Sequence, residues 1–376
     1  MITGKKVLFL TTTDNMIWQF LLAHIKHLQN AGNIVECACT RTGFWFDDLV
    51  KTHGLVVHDV EFKRNPFSLN VKKFRQNARA FKELKRIVKE GGYDLIHCHQ
   101  PVGGVMGRRV GAVCGVPVIY TAHGFHFFKG SSLKSNIYKF IETHYAKKTN
   151  ALVTMNNEDY QAALGMKAKH KYLINGIGYD PTKNKDYPFD VNLLRQEIGV
   201  SDDDFVVVNI GECIKRKNHK VLFQAFKEIN EPNIKLVICG GGKLFDQYKK
   251  TIKELGLEGK VKLLGYRKDA RNILKLADVF VFPSLQEGLP MSIMESMFQG
   301  IPVIASDIRG NRDLVKDGEN GILTSDFKTA IMKLYSDKDL TKQMGENGRE
   351  LVKKFYIENV LNQMEEIYNE VLKSNK

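Results

Sequence analysis

Short apolar, β-branched runs, each followed by a stretch with helical periodicity, recur along most of this 376-residue chain. The first series comprises residues 6–10 (KVLFL), 33–39 (NIVECAC), 93–98 (YDLIHC), 116–121 (VPVIYT) and 151–154 (ALVT). The second comprises 205–210 (FVVVNI), 234–239 (IKLVIC), 261–264 (VKLL), 279–282 (VFVF) and 301–305 (IPVIA). Runs that read as continuously apolar are buried on both faces, and helical spacers between them require parallel pairing. The pattern therefore predicts an α/β fold in which two parallel sheets are each covered by helices. Each run ends in a turn rich in Gly, His, Pro or Ser, which is where open α/β sheets place their ligands.

The chain is long for one core, since domains cluster near about 100–200 residues. Two doubly wound, Rossmann-like domains facing one another across a cleft are expected. Residues 175–188, rich in Asn, Gly, Pro and Lys, are the linker candidate. This divides the chain into 1–180, a linker at 181–190, and 191–355, followed by 356–376. In that last segment Val360, Met364, Ile367 and Val371 mark an apolar stripe at helical spacing.

Composition narrows the class. With 43% hydrophobic and 26% charged residues and no low-complexity tract, the chain reads as globular. The apolar run near Met1 is too short for a signal h-region, and no run approaches the ~18 residues of a membrane span. Six cysteines without a C-x-x-C pair suggest a reduced, cytosolic protein lacking structural zinc. The net charge of +14 is uneven: residues 1–180 hold 25 Lys and Arg against 13 Asp and Glu, and the remainder 31 against 29. An anionic partner of the first half is implied: nucleic acid, a phosphorylated substrate or a membrane surface.

Between residues 71 and 90, Val71, Phe74, Ala78, Phe81, Leu84 and Val88 mark one helical face, with Lys72, Arg75, Arg79, Lys82, Arg86 and Lys89 one step around. Such a helix is either a solvated outer layer or a contact for anionic headgroups. Nucleic acid is disfavoured, because no aromatic stacking platform accompanies the charge.

Four local patterns carry chemistry. In 287–295 (EGLPMSIME), Pro290 suits a helix start and Gly300 its end, putting Glu287 before the helix and Glu295 within it. Eight helical residues would separate the carboxylates by about 12 Å and roughly 80°, against the ~5 Å of a retaining glycosidase pair. Two grips on an extended ligand fit better, helped by backbone N–H groups at Gly288, Leu289, Pro290 and Met291, where only proline lacks the donor. Ordinary helix-end glutamates are the plainer alternative. In 209–218 (NIGECIKRKN), Gly211 and then Lys215, Arg216 and Lys217 follow a strand, and 239–245 (CGGGKLF) repeats the theme around Gly241. Either can hold a pyrophosphate or be simple turn chemistry. Finally, His97, His99, His123 and His126 lie at strand ends; no carboxylate or cysteine set completes a tetrahedral metal site, so ligand or backbone bonding is expected instead.

Together these stretches resemble the retaining glycosyltransferases of family 4, of GT-B fold, over essentially the whole chain. The 287–295 segment fits that family's E-x7-E motif, followed by 300–306 (GIPVIAS). Residues 264–284 are also similar to that family, and 96–108 with 118–128 resemble the bacterial subgroup that builds capsule and exopolysaccharide repeat units. The resemblance implies an acceptor-side first domain, a second domain holding a UDP-sugar donor, a closing helix that crosses back to the first domain, and no metal cofactor. Glu295 would bind ribose hydroxyls; Glu287 with Gly288, Leu289, Pro290 and Met291 would hold sugar and phosphates; Lys217 and Arg216 would neutralise the diphosphate beside Gly211 and Gly241. Tyr266 and Arg267 would lie near the base, and His123 near the anomeric centre. His99, Phe125 and His126 would serve the acceptor side, and Lys72, Arg75, Arg79 and Lys82 an anionic membrane. A lipid-linked saccharide acceptor at the inner face of the cytoplasmic membrane follows. Glu212 stands where the family often has arginine, and residues 11–15 (TTTDN) replace its usual Gly-Gly turn. A GT-B epimerase of UDP-N-acetylhexosamine and a non-catalytic glycan or polyanion binder are the rival expectations.

Overall fold

The computed structural model describes residues 2–63, 71–128, 130–131, 133–183 and 189–374, without the side chains of residues 44, 71–74, 134 and 183. Linker residues 184–188 and the Lys72 side chain fall outside it. The chain forms two compact units: Met1–Gly178 with Ile357–Lys376, and Tyr179–Tyr356.

The first unit is built on β1 (Lys6–Thr13), β2 (Ile34–Thr40), β3 (Val56–Asp59), β4 (Leu95–His99), β5 (Val118–Ala122), β6 (Ala151–Thr154) and β7 (His170–Leu173). All pair in parallel, in the order β3-β2-β1-β4-β5-β6-β7. The second contains β8 (Phe205–Ile210), β9 (Ile234–Cys239), β10 (Val261–Gly265), β11 (Val279–Phe282), β12 (Val303–Ala305) and β13 (Gly321–Leu323). These too are parallel, in the order β10-β9-β8-β11-β12-β13. Strand order therefore reverses between β1 and β4 in one unit and between β8 and β11 in the other. At such a reversal the turns on either side diverge to opposite faces and leave a crevice at the carboxyl ends of the strands.

Central strands owe their burial to the runs that predicted them: β4, β5, β6 and β11 are buried throughout. The basic helix spans Val71–Gly91. Its core face differs from the expected one: Asn77, Ala80, Leu84, Ile87 and Val88 are buried, Phe81 only partly, and Ala78 is exposed. The stripe is turned because buried Asn77 is held by the Lys63 amide, which donates to its Oδ1 at 3.0 Å, and because Arg109 covers the Phe81 ring at 4.4 Å.

The closing helix, Ile357–Lys373, is part of the first unit and buries Ile357, Val360, Met364, Ile367, Tyr368 and Val371. Polar contacts fix its register: His27 Nε2 lies 2.6 Å from Glu365, Tyr172 donates to Glu370 at 2.5 Å, and the Asn175 amide donates to Gln363 at 3.0 Å. Among the described residues, no helix is long and apolar enough to cross a membrane.

Candidate functional site

In the second unit the turns after β8 and β11 meet at the reversal of strand order. A one-turn 3-10 helix, Lys215–Lys217, follows β8 and presents three cations in a row. The Arg216 carbonyl accepts from the Leu285 amide at 2.9 Å, and Arg216 Nη1 donates to the Gln286 carbonyl at 2.7 Å, so the two turns are joined through backbone. Glu287 Oε1 then accepts from both Arg216 Nη1, at 2.6 Å, and Lys217 Nζ, at 2.8 Å. The Lys217 and Glu287 side chains are 14% and 10% exposed. Burial pushes the Lys217 ammonium below the usual lysine range, and Glu287 opposes that shift. One carboxylate shared by two cations leaves a positive surplus.

That surplus sits beside the start of the helix Met291–Gln299. Pro290 is its N-cap residue rather than its first helical one, and has no side-chain acceptor to occupy the first N–H groups. The helix N-terminus adds a partial positive charge and aligned donors. At its far end Gly300 adopts φ +73°. Glu295, on the second turn, accepts from Arg271 Nε and Nη2 at 3.1 and 2.9 Å. The two glutamates thus answer different cations: they are not a carboxylate pair on one bond.

The glycine turn after β9 closes the other side. Gly240 lies so close to the preceding turn that a Cβ there would be 1.9 Å from the Gly211 carbonyl oxygen, whereas at Gly241 it would have nothing nearer than 3.9 Å. Backbone bonds stitch the turns together: Gly211 N to Cys239 O, Cys213 N to Gly241 O and Gly240 N to Gly265 O, at 3.0, 2.8 and 2.7 Å. Tyr266 is 78% exposed. Arg267 is bound by Asp269, at 2.7 Å through each of two nitrogens, and by Glu197. Its guanidinium is therefore committed to carboxylates of its own unit. Behind the turn, His219 Nε2 donates to Asn209 Oδ1 at 2.9 Å, an assignment fixed because Asn209 Nδ2 donates to the Val281 carbonyl at 2.8 Å. Burial and then Lys217 hold its pKa down to about 4.

In the first unit, alternation along β4 puts His97 and His99 on the same face of the sheet. His97 is held between Tyr368 Oη, 2.7 Å from Nδ1, and Thr121 Oγ1, 2.8 Å from Nε2. His99 Nδ1 lies 3.1 Å from His123 Nε2. Burial, reinforced by neighbouring histidines, keeps His97 and His99 well below the normal imidazole value, and burial with His24 nearby lowers His123 to about 3. All three are neutral at pH 7. His97 and His99 are buried; His123 reaches solvent. His99 can therefore act only through His123. Phe125 is also a core residue, 2% exposed and stacked on Phe127 at 4.8 Å, so its ring offers no contact surface to an acceptor. His126 is exposed, and Arg75, Arg79 and Lys82 are exposed on the basic helix. Among the described residues no group of three or more His, Cys, Asp or Glu converges as a metal would require.

Sequence reasoning overlooked Arg271 as the partner of Glu295, and Gly310, where a Cβ would lie 2.3 Å from the Gly288 carbonyl. Gly310 follows the 300–306 stretch, and its place before a short helix was the available signal. Arg271 had none beyond its charge.

Two doubly wound units, one carrying a cation-rich turn at its strand-order reversal, define a protein of the GT-B class. Anabaena Alr3699/HepE, crystallised in complex with UDP, has the same fold: TM-score 0.80 at 21% identity, over 97% of this chain and 100% of that one. Sucrose-phosphate synthase from Thermosynechococcus elongatus gives 0.82 at 20% identity, over 98% and 100%. Residues 6–157 match the family model described as glycosyl transferase 4-like, and residues 190–351 that of glycosyl transferases group 1. EpsD of Bacillus subtilis (strain 168), itself assigned as a glycosyltransferase, is 33% identical over 97% of this chain and 96% of its own. The Escherichia coli UDP-Gal:alpha-D-GlcNAc-diphosphoundecaprenol alpha-1,3-galactosyltransferase is 32% identical over 76% and 77%. The chain belongs to the family-4-like glycosyltransferases of GT-B fold.

Proposed function

We propose that the protein moves a sugar from a UDP-sugar to a hydroxyl of a lipid-linked saccharide, with retention at the anomeric carbon, in the synthesis of a capsule, exopolysaccharide or related surface glycan. The observation that carries this reading is Glu287 shared by Lys217 and Arg216 beside an uncapped helix N-terminus. Departure of a nucleoside diphosphate places negative charge on phosphate oxygens while the sugar becomes oxocarbenium-like, and fixed cations and aligned N–H groups stabilise the first of these charges. Lys217 and Arg216 take the diphosphate, near Gly211 and Gly241. Glu287 with the backbone of Gly288, Leu289 and Met291 takes the sugar. Glu295 takes the ribose while Arg271 orients it, and the turn at Gly265, Tyr266 and Arg267 borders the base.

His123 serves the reacting sugar as a neutral hydrogen-bonding group, because an imidazole with a pKa of about 3 carries no charge near neutrality. The acceptor reading draws support from the galactosyltransferase relative, which is named for a diphosphoundecaprenol-linked sugar. A lipid-linked acceptor puts the enzyme at the inner face of the cytoplasmic membrane, where Arg75, Arg79 and Lys82 meet anionic headgroups. The reaction needs no resident metal in this scheme.

The test is a panel of nucleotide sugars assayed by thermal shift and then by transfer to a lipid-linked acceptor. A UDP-sugar that raises Tm and gives an α-linked product from an α-linked donor supports the proposal. Turnover of the nucleotide sugar without acceptor would point to an epimerase. Absence of any nucleoside diphosphate binding would refute the donor site itself.

A further inference from the structure

The helix Asn136–Ala146 of the first unit, preceded by a 3-10 turn at Leu133–Ser135, faces outward with the wrong chemistry for water. Leu133, Ile137 and Phe140 are 87%, 53% and 70% exposed. With His144, which stacks on Phe140, they follow spacings of four, three and four residues. Such spacings keep side chains within about 60° of one another on a helix. The buried residues Ile141, Glu142 and Ala146 lie around to one side, with Ile141 at the border of the stripe. The exposed stripe is turned away from the core, and contiguous exposed apolar surface marks an interaction site.

Charge identifies the occupant. Glu142 is the helix's one acidic residue, and it is buried in an ion pair with Arg108 at 2.8 Å. Beside the stripe the helix exposes Lys139, and Lys147 and Lys148 follow its far end. The helix Pro101–Cys114 packs between this helix and the basic one, which exposes Arg75 and Arg79. A second copy of the chain would bring like charges together. An anionic bilayer satisfies both the apolar stripe and its basic margin.

Topology sets the stripe's position. A helix joining parallel neighbours β5 and β6 must start at the carboxyl ends of the strands and return to their amino ends. Leu133, Ile137 and Phe140 therefore lie at the edge that carries His99 and His123, and Tyr138 of the same turn meets His126 with ring centroids 5.1 Å apart. The basic helix, leading into β4, also starts at that edge.

We infer that Leu133, Ile137 and Phe140 insert into the headgroup boundary of an anionic membrane and hold the His123 edge of the first unit against it. This rests on the lipid-linked acceptor proposed above. The experiment compares sedimentation of the full chain and its Leu133→Ser/Ile137→Ser/Phe140→Ser variant with vesicles of equal phosphatidylglycerol and phosphatidylcholine. Calorimetric UDP binding and Tm serve as the control for folding. The variant should lose about tenfold or more in vesicle partitioning with UDP affinity unchanged, and Phe140→Trp should be quenched by brominated lipid. Equal sedimentation of variant and parent, or no vesicle binding by the parent, overturns the inference while leaving the donor reading intact. Stripe-dependent vesicle binding by a protein that transfers no sugar would sink the enzymatic reading alone.

Discussion

At the residue scale, Lys217 and Glu287 illustrate how a buried ion pair can be arranged for a third party. Both are largely withdrawn from water, and the shared contact with Arg216 leaves one cation in excess. Lys217→Ala should weaken UDP binding tenfold to a hundredfold, the equivalent of about 1.5–3 kcal/mol for a charge-assisted contact. Titration calorimetry checks this, and Lys217→Arg should restore part of the loss. Two neighbouring glycines offer a cleaner contrast. Alanine at Gly240 would drive a methyl into the Gly211 carbonyl at 1.9 Å, so the turn must shift. A cost of roughly 1–3 kcal/mol is expected in urea unfolding. At Gly241, with 3.9 Å of clearance, the same substitution should be close to neutral. Equal effects at the two positions would contradict the close approach of these turns. Both glycines stand in one undifferentiated run, GGG, and only the neighbouring backbone distinguishes them.

At the element scale, the central strands were legible because burial on both faces favours continuous apolar runs, as in VFVF of β11 and the FVVV of β8. The strands that escaped notice are β3, β7 and β13, which end their sheets. An edge strand is half-solvated, so its residues need not be apolar; β3 and β7 contain no fully buried residue. The motif at 287–295 was readable for a related reason: the proline that starts the helix and the glycine that ends it are local signals. Arg271 and the His97–Tyr368 contact depend on residues 24 and 271 positions away in the chain. No local signal reports them.

The histidines on β4 and after β5 also act as an element-scale acid sensor of stability. Their folded pKa values lie below the ordinary imidazole value of about 6.5, with His123 at about 3. The unfolded chain therefore binds more protons than the native one below pH 6.5. Stability is full above that pH and falls as pH drops towards 3, by roughly 1.4 kcal/mol per pH unit for each such histidine. Urea midpoints should be lower at pH 5 than at pH 7.5, and His99→Asn should flatten the difference.

At the scale of the whole molecule, the second unit is one uninterrupted stretch, Tyr179–Tyr356, whereas the first is closed by Ile357–Lys376. Residues 179–356 expressed alone should unfold cooperatively and still bind UDP. Truncation after Tyr356 should leave the first unit unfolded. The closing helix buries six large side chains; at about 1.5–3 kcal/mol each, their removal forfeits an amount as large as a domain's whole net stability of about 5–15 kcal/mol. Limited proteolysis of the truncated chain checks both statements, since only the second unit should survive.

The seating of that last helix also imposes an order in time. The sheet bearing His97 leaves the ribosome early, yet Tyr368, which completes its polar contacts, is made only after the 178 residues of the second unit. At about 5–20 residues per second this is a delay of roughly 10–40 s. The half synthesised first is thus finished last, and for that interval a newborn chain presents the apolar surface that this helix covers to whatever chaperones attend it.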